Sequence, residues 1–143
     1  MPFSAKTEYG LVSLLELASI HSQGGVLQVA EIAHRQGIPE RYLEQMLTSL
    51  RRANILRSSR GPKGGYQLSR PPGDIRVADV LAVLEGENIR DTEKRSPTPE
   101  YSVLISLEER LEQARRLILE GATIQDLVDQ RDQLAQAQAM YFI

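Results

Sequence analysis

Arg41, Tyr42, Glu44 and Gln45 lie within five consecutive positions, and each carries a group able to bond a base edge or a phosphate. A glutamate accepts from cytosine N4, a glutamine pairs with adenine, and an arginine takes guanine or a phosphate oxygen. Arg51 and Arg52 follow further along the same segment, and Arg60 and Lys63 flank Gly61 and Pro62 in a glycine-rich stretch. Net charge is −2, which by itself says nothing for a polyanionic partner. Its distribution does. From Arg35 to Arg76 nine basic residues face three acidic ones (Glu40, Glu44, Asp74), giving +6, so the remainder carries −8. A basic segment inside an acidic chain is the footprint expected where double-stranded DNA is met. A merely solvated face is the alternative for any charge run.

Other chemistries find little support. The chain has no cysteine, which removes disulfides and thiolate metal sites, and its two histidines, His21 and His34, stand apart and read as surface or packing residues. No nucleophile with an adjacent base is apparent, so an enzyme is not expected. Met1 to Lys6 lack the character of a signal peptide, and no apolar run approaches the ~18 residues of a membrane span. A soluble cytoplasmic protein is the expectation. Its 143 residues suit one domain of ordinary size, and with aromatics at 5% the core must be built mainly from Leu, Ile, Val and Ala.

The elements that must position those side chains follow from periodicity. Leu11, Leu14, Leu15 and Ala18 share one face of a helix over Thr7 to Ile20, which Gly24 and Gly25 close. Val29, Ile32 and Ala33 mark a short second helix that stops at Gly37. Pro39 suits the first position of a third helix, running to about Ala53 with Tyr42, Leu43, Met46, Leu47 and Leu50 inward. Tyr42 is also open to a second role, with its hydroxyl near a phosphate. Residues 55–57 and 66–68 read as short strands around a loop from Ser58 to Gly65, and Asp74 to Leu84 returns to a helical pattern.

A small residue between two helices, a turn tolerant of positive φ and apolar locks on the second helix are what a helix-turn-helix needs; Ala33, Gly37, Ile38, Leu43 and Met46 supply them. Followed directly by a hairpin with a basic, glycine-rich tip, the unit becomes winged: one helix enters the major groove and the wing meets backbone or minor groove. Arg41, Glu44 and Gln45 fall near the start of the recognition helix, and Arg60 and Lys63 at the wing tip. Arg51 and Arg52 at the far end serve either DNA or the helix dipole. A winged helix that binds protein rather than DNA is the rival reading, although it has no need of cations at the tip.

Taken in order, Tyr42-Leu43-Glu44-Gln45, Leu50-Arg51-Arg52-Ala53, Arg60-Gly61-Pro62-Lys63-Gly64-Gly65-Tyr66, Val77-Ala78-Asp79-Val80-Leu81 and Leu84-Glu85-Gly86 resemble the Rrf2 family of bacterial winged-helix transcription regulators over nearly the whole chain. The resemblance implies a dimer whose long C-terminal helix packs across the partner, and adds Lys6 as a phosphate contact. Several members hold an iron-sulfur cluster through cysteines in the linker before that helix. Here the linker carries Asp91, Glu93, Lys94 and Arg95 instead, so no cofactor is expected and the effector, a small molecule, a protein or none, stays open.

The fold expected is therefore mainly α with a small β-hairpin: a winged helix-turn-helix domain over 1–85, a linker over 86–100, and a long dimerisation helix with a C-terminal helix over 101–143. Leu104, Leu107, Leu111, Ala114 and Ile118 recur in alternating steps of three and four, an a/d seam for a second chain. Thr123 and Asp126 resemble a capping box that opens the last helix. A homodimer of this kind reads a near-palindromic operator with half-sites about 34 to 36 Å apart or a multiple of that.

Overall fold

The computed structural model describes residues 3–86 and 98–141. Most of the expected linker, with Asp91, Glu93, Lys94 and Arg95, lies outside the described residues. Helix α1 (Ala5–His21) starts at Ser4, whose Oγ accepts from the Thr7 amide at 3.2 Å and so satisfies one orphan N–H. It sits at the centre, touching α3, α4, α6 and the hairpin. Leu11, Leu14 and Leu17 are consequently buried, while Leu15 and Ala18, read as inward-facing, are half-covered. Elements pack on several sides of α1, so its buried arc is wider than one stripe.

Helix α2 (Val29–Gln36) ends as expected: Gly37 takes φ 65° and the Ile38 amide returns to the Ala33 carbonyl at 3.0 Å. Pro39 caps α3 (Glu40–Arg52) from outside rather than standing at its first position. Its ψ of 123° gives the one extended residue that the tight turn needs, and its carbonyl accepts from Leu43 at 3.1 Å. The far end of α3 closes without glycine. Asn54 adopts φ 62°, and the Asn54 and Ile55 amides reach back to Arg51 and Leu50, both at 3.0 Å.

That closure aims the chain into β1 (Leu56–Ser59), which pairs antiparallel with β2 (Gly65–Leu68), Leu56 opposite Leu68 and Ser59 opposite Gly65. Both strands reach further toward the tip than expected. Leu27 bridges the other edge of β2 through two bonds with Tyr66, at 3.0 and 2.7 Å. A Cβ on Gly65 would lie 2.6 Å from the Leu27 carbonyl oxygen, so glycine is required for that approach.

Helix α4 (Val77–Glu85) begins three residues later than the periodicity predicts. Pro72–Asp74 form a 3-10 turn, and Ile75 and Arg76 run extended because they pair with residues 122–124: Ile124 donates to Ile75 at 2.9 Å and Val77 to Ala122 at 2.9 Å. Local pattern cannot reveal a partner some fifty residues away. Helix α5 (Pro99–Gly121) has no buried residue among those described, whereas α6 (Ile124–Tyr141) drives Ile124 and Val128 into the core beside α1. The Thr123–Asp126 capping box is present in both directions, at 3.1 and 2.9 Å.

Candidate nucleic-acid interface

The inward arc of α3, Leu43, Met46, Leu47 and Leu50, is buried, which fixes the opposite face outward. There Arg41, Glu44, Gln45, Thr48, Ser49 and Arg52 line one shallow concave strip. Thr48 and Ser49 were not singled out from sequence, although the steps of three and four from Arg41 to Arg52 pass through Thr48. Their hydroxyls donate to the carbonyls of Glu44 and Gln45 at 2.8 and 3.1 Å, leaving oxygen lone pairs free to accept. Tyr42 is not core: it is 56% exposed, because it points about 100° away from Leu43 around the helix. Arg51 is exposed beside the strip, and Lys6 is exposed in the first turn of α1.

Arg60 and Lys63 stand exposed at the tip of the wing. Gly61 takes φ 102°, and the Gly64 amide closes the tip on the Gly61 carbonyl at 2.9 Å. The Gln28 side chain, missed by the sequence reading, ties the tip to the start of α2 by donating to the Pro62 carbonyl at 3.4 Å. A Cβ at Gly64 would lie 2.2 Å from the Ser59 carbonyl oxygen, so Gly64→Ala is expected to open the tip at a local cost of about 1 to 3 kcal/mol. DNA affinity should fall in a titration with labelled duplex while the helical circular dichroism is unchanged. Unaltered binding would detach wing geometry from function.

The basic segment divides into two groups. Arg35 bonds Glu16 at 2.8 Å and lies 3.7 Å from Glu31, and Arg70 stands 3.8 Å from Asp79. These two are committed internally. Among the described residues, Arg41, Arg51, Arg52, Arg57, Arg60 and Lys63 form no ion pair and are exposed. Cations left solvated in this way are available to displace counterions from phosphates.

The seam residues of α5 are also exposed: Leu107 is 48%, Leu111 63% and Ile118 70% accessible, with Leu104 and Ala114 open beside them. Tyr101, Val103 and Leu117 extend this apolar surface beyond the residues read from sequence. Ile105 and Leu119, on the other side, are half-covered.

Among the described residues no group of three or more His, Cys, Asp or Glu is placed to hold a metal, and no helix is long and apolar enough to cross a membrane.

Comparison with known proteins agrees with this geometry. The profile of the Rrf2 family, described as an iron-dependent transcriptional regulator, matches residues 3–130. The HTH-type transcriptional regulator CymR of Bacillus subtilis is 33% identical over 143 residues, covering 99% of each chain. An IscR regulator of Cereibacter sphaeroides is 42% identical over 86 residues, 59% of this chain and 56% of that one. Among solved structures, B. subtilis CymR, titled the global cysteine regulator of that organism, superposes with a TM-score of 0.78 at 33% identity, covering 90% of this chain and 97% of CymR. T. potens IscR gives 0.75 at 31% identity, covering 92% and 88%.

Proposed function

The chain belongs to the Rrf2 family of transcriptional regulators, not enzymes, and on that premise we propose that it binds a near-palindromic operator as a homodimer without a cysteine-ligated iron-sulfur cluster. The observation that carries the DNA reading is the set of unpaired cations, Arg41, Arg51, Arg52, Arg57, Arg60 and Lys63, arrayed on the recognition helix and wing around Glu44 and Gln45. Phosphate contacts from these cations, with Lys6 and the Tyr42 hydroxyl, set register; Glu44 and Gln45 read base edges, and Arg41 takes guanine or phosphate. Residues 1–85 form the DNA-binding part, 86–100 the linker, and 101–143 the dimerisation helix and its C-terminal companion. Two copies of α5 meet along Leu104, Leu107, Leu111, Ala114 and Ile118.

The family's iron does not fit the donors of this chain. Iron-sulfur clusters depend on soft thiolates, and the sequence offers no cysteine. His34 is exposed on α2 and His21 is half-covered at the end of α1, with no clustered carboxylates among the described residues to complete a site. Anaerobically purified protein is therefore expected to be colourless and to bind DNA equally with and without added iron. Iron and sulfide in stoichiometric amount, or DNA binding that needs them, would contradict this. Mobility shift of the protein with the DNA upstream of its own gene tests the DNA reading: a discrete, competitor-resistant complex is expected, and none would overturn it.

A further inference from the structure

Helix α5 is fastened to the winged domain at few points, and one is a carboxylate shared by two other helices. Glu85, the last residue of α4, accepts from Thr7 Oγ1 on α1 at 3.0 Å through Oε1 and from Arg115 on α5 at 3.3 Å through Oε2. Thr7 is fully buried and itself accepts from Ser4 Oγ at 3.1 Å. An acidic side chain at a helix C-terminus opposes the helix dipole, so two donors converging on this one offset an otherwise unfavourable placement.

We propose that the Thr7–Glu85–Arg115 tie fixes the angle at which α5 leaves the winged domain, and thereby the spacing between half-sites that the dimer accepts; this rests on the dimeric DNA-binding reading above. The corner after α5 is pinned by backbone bonds, Val77 to Ala122 and Ile124 to Ile75, each 2.9 Å. One pinned point leaves a helix free to pivot, and the Arg115 contact supplies a second. Half-covered Leu119 resists separation, but apolar packing is non-directional and opposes small tilts weakly. The lever is long. A helix of 23 residues spans about 35 Å, so a tilt of about 5° moves its far end by about 3 Å, close to one base-pair step.

The test uses the full chain and a duplex selected by the wild-type protein from a random pool, resynthesised with its spacer one base pair shorter or longer, and as a single half-site. Wild type should lose about tenfold or more in affinity on either altered spacer. Arg115→Ala, an exposed substitution that does not threaten the core, and Glu85→Ala should discriminate by no more than about threefold while retaining dimer mass and single-half-site affinity. Arg115→Lys, which keeps the charge, should restore discrimination. Spacer preference unchanged in both alanine variants, or an equal loss on every duplex including the half-site, would overturn the tie as a spacing device. Wild-type protein that binds one half-site as tightly as two would remove the dimer reading and the tie with it.

Discussion

Leu107→Asp combined with Leu111→Asp is expected to leave the protein monomeric at micromolar concentration and to weaken operator binding by about a thousandfold or more. Fully burying one leucine contributes ~1.5 to 3 kcal/mol, and a two-fold interface loses each side chain twice, so four buried leucines are replaced by four carboxylates that must be desolvated. Both positions are about half or more exposed in the isolated chain, at 48% and 63%, and neither touches the core. The winged domain should therefore keep its helical circular dichroism. Light scattering reads the mass and fluorescence anisotropy the affinity. A double variant that stays dimeric would place the interface elsewhere.

Arg60→Ala with Lys63→Ala should weaken binding to every sequence alike and flatten the dependence of log affinity on log salt by about 0.9 per lost phosphate contact, about 1.8 for the pair. The recognition helix should respond differently. Glu44→Ala or Gln45→Ala should alter the preference for one base per half-site, each contact discriminating by about 1 to 3 kcal/mol, while the salt slope stays as in wild type. The contrast follows from placement: Arg60 and Lys63 sit on a glycine-rich tip that can approach a backbone, and Glu44 and Gln45 on a rigid helix face. Identical salt slopes in wild type and the wing double variant would remove the wing from the interface. Base preference untouched by both helix variants would mean that another face of the protein reads the operator.

Periodicity exposed most of the fold because the core is mainly aliphatic and its spacing is regular. Leu43, Met46, Leu47 and Leu50 fix α3 without help from any other segment. Tyr42 escaped because a tyrosine next to an inward leucine satisfies a loose apolar count while pointing to solvent. What sequence could not show is non-local. The pairing of Ile75 and Arg76 with the chain after α5 shortens α4, the closure at Asn54 replaces an expected glycine, and Glu85 finds Arg115 thirty residues on. The candidate site was legible in residue types; which cations are committed internally, Arg35 and Arg70, required coordinates.

Selection of bound duplexes from a random pool by the purified, iron-free protein tests the central claim most directly. Enrichment should converge on two inverted half-sites about one helical turn apart, or a multiple of it. The enriched duplex should bind as one dimer, with an affinity that falls steeply as salt is raised. Failure to enrich any sequence, or enrichment only when iron and sulfide are supplied, would contradict a dimeric regulator that reads DNA through α3 and the wing without a cluster.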